Sequence, residues 1–491
     1  MTATTVDVRS IRRHFDFPAT GRVALNNAAS TQPPRELLGL YRDLVPAYEN
    51  VHRGQSSASQ RTTELFEQSY DTIAAWLNAP SRRNIVTYRN ATEATNAVMY
   101  MLLTEFRDGD NIVTTMMEHN SNFVPWYALC REILPRFGRR VECRIARLDH
   151  ATGQLDVDHL AGLVDSRTKL VCCTGASNFL GTKPPLHEIR RIARGSGYRQ
   201  PSGATRSLLL VDAAQLVPSS YVDVQALDVD FLSFSFHKFL APFGVGVLYA
   251  KEHLLADALP FLYGGDMIAE GAVSPDRVEY NDLPWKYAAG TPNFLGVIVS
   301  AQALRLVLDL VLDTGTTWFG TSRAIPPAAV RATMDAVGRH TRQVTEYALQ
   351  RLQEVHGLTV YGPRVAADRS PLVAFTIAGM DPMDVARRLN EAGVESRAGC
   401  HCATLAHRDL GLTPPASCRL SFALYTTIEE VERAAAALER ITDEVRPGPP
   451  PPPPADLGVV VGSNMDKVRI RATTTPRSRV RGEARRAGAS R

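Results

Sequence analysis

From residue 83 to 249 the sequence alternates short apolar runs with stretches of helical periodicity, and few folds accommodate that pattern. "NIVTY", "NIVTTM", "KLVCCTG", "SLLLVDAA", "FLSFSF" and "GVGVLYA" have the length and β-branched or aromatic content of strands. "TEATNAVMYML", "NFVPWYALCREI" and "LHEIRRIAR" have the apolar spacing of helices. Such alternation predicts a mostly parallel central sheet with helices on both faces, hence an α/β fold. Chemistry in such sheets gathers where loops leave the carboxyl ends of strands. A smaller α+β unit follows from residue 329, with a long helix, then "LTVYG", "LVAFTI", a helix at "DPMDVARRLNEAG", "CRLSFALY" and a last helix "TIEEVERAAAALERI". "GSGYRQPSGATR" (195–206) has the Gly, Ser and Pro content of a surface loop. The expected organisation is an N-terminal segment (1–30) joining the small domain, a large α/β domain (31–328), a small α+β domain (329–446), and a polyproline linker with a basic, disordered tail (447–491).

Charge narrows the class. The net charge is +4, yet from residue 455 onward there are nine Lys/Arg against three Asp/Glu, so the body is slightly acidic and lacks the charge of a nucleic-acid-binding surface. The first residues have no signal-peptide core, and no uninterrupted apolar run reaches membrane-spanning length, so a cytoplasmic protein without membrane contact is expected. The seven cysteines are odd in number and irregularly spaced, which suits reduced thiols rather than a disulfide framework.

Lys238 lies in "SFSFHKFLAPFGVGVLYA", an otherwise apolar run. Burial favours the neutral amine, the form needed to condense with a carbonyl, although an isolated lysine more often snorkels to solvent. Its companion is Asp212, which ends "LLLVD"; the interval between them fits one crossover and one strand, placing both at the same sheet edge. A carboxylate there can pair with a protonated pyridine nitrogen, or simply cap a turn.

Nine separated motifs then occur in one order: "LNNAAST", "NVHRG", "RNATEATN", "MEHNSNFVPW", "SNFLGT", "VDAAQ", "SFHK", "AGTPN" and "RAGCHCA". With these the chain resembles the class V branch of fold-type I enzymes that use pyridoxal phosphate (PLP), and within it the cysteine desulfurase/selenocysteine lyase group. The resemblance runs from about residue 26 to 441. It implies that Lys238 holds PLP, Asp212 faces the pyridine nitrogen, His119 stacks on the ring, and Gln215 and Asn178 contact its phenolic edge. It further implies a phosphate seat at Ala91 and Thr92, completed by Ser235 and His237, whereas without the resemblance Thr92 reads as an ordinary helix N-cap. Thr291 is implied to reach the phosphate of a neighbouring subunit, hence an obligate homodimer. Arg419, assisted by Arg397 and Asn178, is implied to grip the carboxylate of an amino acid substrate.

The reaction rests on "RAGCHCA", where the resemblance puts Cys402 at the nucleophile. His401 beside it and nearby arginines favour a thiolate, and the small Ala403 leaves the loop free to swing. Cys400 stands where relatives often have histidine and can serve as a resolving thiol. Catalysis is thus expected from Lys238, Cys402 and His119: L-cysteine becomes L-alanine, and a Cys402 persulfide passes to a sulfur-acceptor protein. Cys400, His401, Cys402 and Cys418 have poor spacing for zinc, and no metal is expected. Two positions usually acidic in relatives are Asn26 and Ala288, and the loop between Cys402 and Arg419 is slightly longer. The alternatives are a class V PLP lyase or aminotransferase-like enzyme acting on another amino acid or sulfur compound, and a non-catalytic scaffold, against which the joint presence of Lys238, Asp212 and His119 argues.

Overall fold

Strands buried on both faces favour near-continuous apolar runs, and the inner strands of the sheet consist largely of such runs. The computed structural model describes residues 5–312 and 315–444, all within one compact unit. Its central sheet has seven strands: β1 (Ile85–Tyr88), β2 (Asn111–Thr115), β3 (Glu142–Ala146), β4 (Thr168–Thr174), β5 (Leu208–Asp212), β6 (Phe231–Ser235) and β7 (Gly246–Ala250). Their spatial order is β1-β7-β6-β5-β4-β2-β3, and all pairings are parallel except those of β7. Along β5, Leu208 and Leu210 enter one apolar cluster while Leu209 and Val211 enter the cluster on the opposite face. Cys172 and Cys173 on β4 divide in the same way, as fully buried core thiols.

Helices cover both faces. Among them α1 (Ser57–Trp76) packs on α3 (Phe294–Val311), and α2 (Ala91–Leu102) follows β1. By length and composition α3 is apolar enough to cross a membrane, but 83% of it is buried inside the protein. Its Arg305 is held there by the Thr72 hydroxyl and the Arg323 carbonyl. A long helix α4 (Pro327–Glu354) leads to a second sheet, β8 (Leu358–Tyr361), β9 (Leu372–Ile377), β10 (Arg397–Gly399) and β11 (Ser417–Ser421), in the antiparallel order β8-β9-β11-β10. Between its last two strands lies the short helix α5 (Thr404–Asp409), and α6 (Ile428–Asp443) follows. Near the N-terminus Val23 and Ala24 pair in parallel with Val394 and Glu395.

Three local expectations change. The "NFVPWYALCREI" helix is α-helical only over Val124–Ala128, becoming a π-turn over Leu129–Ile133 and a 3₁₀ turn over Leu134–Phe137, where Pro135 ends regular bonding. The 195–206 loop is anchored inward: Tyr198 and Gln200 are buried, their side chains bonded to Asp110 and to the Lys169 carbonyl. Helix α2 is capped by Asn90, not Thr92, because the Asn90 side chain accepts from the Glu93 amide at 3.0 Å while its own backbone stays extended. The linker and tail lie outside the described residues.

Candidate active site

Five parallel strands end at one sheet edge, and their carboxyl ends supply a cavity of about 220 Å³. Asp212 closes β5, Ser235 closes β6, Thr174 closes β4, Asn90 and Ala91 follow β1, and the loop after β2 carries His119. Ala91, Thr92, Asn178, Gln215, His237, Lys238, Arg397 and Arg419 line the same cavity. Thr291 does not; it is exposed, in the turn before α3. Asp212 is the only carboxylate among the lining residues.

Each side chain is held from its own element. Asp212 accepts from the Ala214 amide at 3.0 Å, and burial raises its pKa while Lys238 opposes the rise. Lys238 lies on the 3₁₀ turn Phe236–Lys238 after β6, and desolvation pushes its pKa down to about 8. Burial, reinforced by the positive charge of Lys238, lowers His119 to about 3 and His237 to about 4, so both are neutral. The Ser121 amide donates to His119 Nδ1 at 3.1 Å; a backbone N–H can only donate, so the proton of His119 sits on Nε2. Gln215 Nε2 donates to the Ala28 carbonyl at 2.8 Å. The Ser235 hydroxyl accepts the Ala91 amide at 2.7 Å, joining the end of β6 to the N-terminus of α2.

The second sheet contributes the cationic wall. Arg397 on β10 and Arg419 on β11 are direct cross-strand partners. Like charges in register repel, and Arg419 falls to about 9 chiefly from burial and then from Arg397. Arg419 is almost fully buried. Its Nη1 donates to the Asn178 carbonyl at 2.7 Å and its Nη2 to Asn26 Oδ1 at 3.5 Å, but Nε has no partner among the described residues, nor has Asn178 Oδ1. A buried guanidinium with an open donor and no carboxylate suits an anionic ligand.

Cys402 sits at the edge of this wall, with Arg397 Nη2 donating toward its Sγ at 3.9 Å. His401 and Cys402 both adopt left-handed backbone (φ 51° and 56°), which costs about 1–2 kcal/mol per residue for side chains with a Cβ. Three hydrogen bonds hold the strain: Asn178 Nδ2 to the His401 carbonyl at 2.6 Å, the Asn120 amide to the Cys402 carbonyl at 2.7 Å, and the Ala403 amide to the Cys400 carbonyl at 2.8 Å. The loop is therefore clamped to its neighbours, where the sequence suggested one free to swing. Nor does His401 assist the thiol as expected. His407 Nδ1 donates to the Ala403 carbonyl, so Ser417 Oγ donates to His407 Nε2 at 2.9 Å and accepts from His401 Nε2 at 3.1 Å. Burial lowers His401 to about 2, which leaves Arg397 as the cation beside Cys402. Cys400 is half-buried, and its thiol is lowered chiefly by the Thr404 hydroxyl.

Sequence reasoning overlooked Asn90, Glu118, Asn120 and Ser121. Glu118 accepts from the Thr115 hydroxyl (2.6 Å), the Thr174 amide (2.8 Å) and Asn122 Nδ2 (2.7 Å), pinning the His119 loop to two strand ends. Ser121 Oγ meets Thr92 Oγ1 at 2.6 Å. The pattern Asn90-x-x-Glu93 was a legible capping signal; the other three residues carry none.

Comparison with known proteins agrees with this geometry. A probable cysteine desulfurase of Halobacterium salinarum is 37% identical over 444 residues, spanning 88% of this chain and 96% of that protein. Among solved structures, the cysteine desulfurase CsdA of Escherichia coli superposes with a TM-score of 0.75 at 30% identity, covering 89% of this chain and 99% of its own. The cysteine desulfurase of Thermococcus onnurineus superposes with a TM-score of 0.76 at 27% identity, covering 90% and 100%. Residues 23–318 and 316–434 match the class-V aminotransferase family, and by that match and these relatives the chain belongs to that family, in its cysteine desulfurase group.

Proposed function

We propose that this protein is a PLP-dependent cysteine desulfurase that converts L-cysteine to L-alanine and carries the sulfur as a persulfide on Cys402. The observation that carries the reading is the position of Cys402 beside Arg397, which lines a cavity together with Lys238, Asp212 and the buried Arg419. The cavity fits the cofactor. One carboxylate, Asp212, is available to a pyridinium nitrogen, a helix N-terminus with Ser235 and His237 is available to a phosphate, and the neutral His119 is available to a ring face. Asn178 and Gln215 line the same space and suit the phenolic edge.

When bound, PLP supplies an electron sink for the pair left at Cα of the amino acid. Lys238 holds the cofactor and, once released, its amine takes the Cα proton; a pKa of about 8 leaves enough neutral amine near neutral pH. Arg419, with Asn178 and Arg397, orients the substrate carboxylate. Cys402 Sγ attacks the substrate sulfur, forming the S–S bond as the C–S bond breaks, with the guanidinium of Arg397 beside the attacking sulfur. Thr291, exposed in its turn, is assigned to the phosphate of a second subunit in a homodimer, and a sulfur-acceptor protein takes the persulfide. All seven cysteines are free, in keeping with a cytoplasmic enzyme.

The test is to incubate purified protein with L-cysteine and a dithiol that reduces the persulfide to sulfide, quantify alanine and sulfide, and reduce a parallel sample with borohydride before peptide mapping. Alanine and sulfide in step, with the pyridoxyl label on Lys238, support the reading. A label elsewhere, or products from a sulfur-free amino acid at the same rate, refute it.

A further inference from the structure

The described residues contain five lysines, and their partners sort them. Lys169 pairs with Glu105 at 2.8 Å, and Lys251 with Asp228 at 2.6 Å and Asp230 at 3.1 Å. Lys286 donates to the carbonyls of Leu255, Ala256 and Ala258. Lys238 faces the active site. Lys183 is different. It is half-buried on the loop after β4, and the only contact of its Nζ among the described residues is the hydroxyl of Ser220 at 3.2 Å. Among the described residues no carboxylate is in ion-pair contact with it, although buried cations are normally paired.

Lys183 points into a polar cavity of about 280 Å³ beneath α4. Arg331, Arg342 and Arg369 line it too, against a single lining carboxylate, Asp335. Two of these arginines are engaged. Arg369 is buried on the carbonyls of Tyr361, Pro363 and Leu372, and Arg331 stacks 4.3 Å from the Tyr221 ring and lies 3.8 Å from Asp223. Arg342 is exposed and has no ion-pair partner among the described residues. Its charge and burial together bring Lys183 down to about 8, with burial the larger cause and Asp368 opposing. Gly338, in the interior of α4, brings the helix close: a Cβ there would stand 3.4 Å from the Ser219 carbonyl. The Ser219–Ser220 turn continues the chain from Gln215, so this cavity and the active site lie at two ends of one short segment.

We propose that Lys183, Ser220 and Arg342 form a second oxyanion site, distinct from the cofactor seat, that takes a phosphate-type group of a small molecule. An ammonium, a hydroxyl and a guanidinium around a polar cavity match the several acceptors of a tetrahedral oxyanion. A ligand there bridges the loop after β4 to α4. The site does not depend on the desulfurase reading, because none of its three residues lines the cofactor cavity.

The test uses the full chain loaded with PLP, so that the phosphate seat at α2 is already filled. Calorimetric titrations at constant ionic strength with inorganic phosphate, pyrophosphate and glucose 6-phosphate are expected to give saturable binding of one ligand per chain. A preference for the sugar phosphate would identify a metabolite ester as the occupant, and a preference for pyrophosphate an inorganic one. Lys183→Met and Arg342→Ala should each weaken binding roughly tenfold or more, the loss of one charge-assisted hydrogen bond, while cysteine turnover without added anion stays unchanged. Arg342 is exposed, so its replacement leaves the fold intact even if Lys183→Met does not. Absence of saturable binding with all three anions, or affinity unchanged in Arg342→Ala, overturns the proposal.

Discussion

Replacing Arg419 by lysine keeps the charge and removes the fork, which isolates the role assigned to it. The wild-type guanidinium spends Nη1 on the Asn178 carbonyl, holds Asn26 Oδ1 only weakly at 3.5 Å with Nη2, and leaves Nε without a partner among the described residues. Nε and Nη2 form the edge that, on the proposed function, offers a substrate carboxylate two parallel bonds. Lysine can supply one such bond, so one charge-assisted hydrogen bond is lost, worth about 1.5–3 kcal/mol. The expected result is a fall in kcat/KM for L-cysteine of roughly ten- to hundredfold, mostly in KM because the carboxylate is bound throughout the reaction. Alanine release against cysteine concentration measures it, and the cofactor absorbance of the variant checks that the cavity has survived. If Arg419→Lys keeps a KM within about twofold of the parent, the carboxylate is gripped elsewhere and Arg419 serves only to hold the Asn178 loop.

Cys402→Ser should retain the cofactor and bind L-cysteine yet release no sulfide and trap no persulfide, whereas Cys400→Ser should leave a trappable Cys402 persulfide and slow only its transfer; mass spectrometry of the 397–408 peptide separates the two. The cysteine kcat should rise with pH and level off above about 8, because proton removal needs the neutral form of Lys238, whose fraction grows as pH passes its pKa; a flat profile between pH 6 and 9 would assign the proton to another group. A chain ended at Arg446 should bind PLP and turn over cysteine as the full chain does, since polyproline forms no internal hydrogen bonds and the tail beyond it is too polar to bury much surface; loss of cofactor on truncation would show that the tail packs on the body.

Much of this was legible in sequence because the physics is local. Asp212 and Lys238 announce themselves: each ends or follows an apolar strand, and the length between them allows only one crossover. The strand β3 was not seen, because as an edge strand it alternates charged residues with apolar ones and is partly exposed along most of its length. The pairing of Arg397 with Arg419 is a matter of register in an antiparallel sheet, which no local pattern encodes. The clamp on the cysteine loop was hidden for a related reason. Its donors, the Asn120 amide and the Asn178 side chain, come from loops of the other sheet, and the left-handed backbone at His401 and Cys402 is populated because those bonds offset it.

On the proposed function, the charges of the cavity also orient a cofactor and a substrate within it. Desolvation keeps His119 and His237 neutral, so neither competes with Asp212 for a cationic ring nitrogen or with the arginines for a carboxylate. The negative pole is then Asp212 alone, on the central sheet, and the positive pole is Arg397 and Arg419, on the second sheet. Asn26 matters to this polarity. It stands 3.5 Å from Arg419 Nη2 as a neutral amide, where an acid would pair with the guanidinium before any substrate arrived. With asparagine there, the Arg419 guanidinium stays open to an anion, and on the proposed function the substrate carboxylate would turn toward the sheet that carries Arg397, beside Cys402.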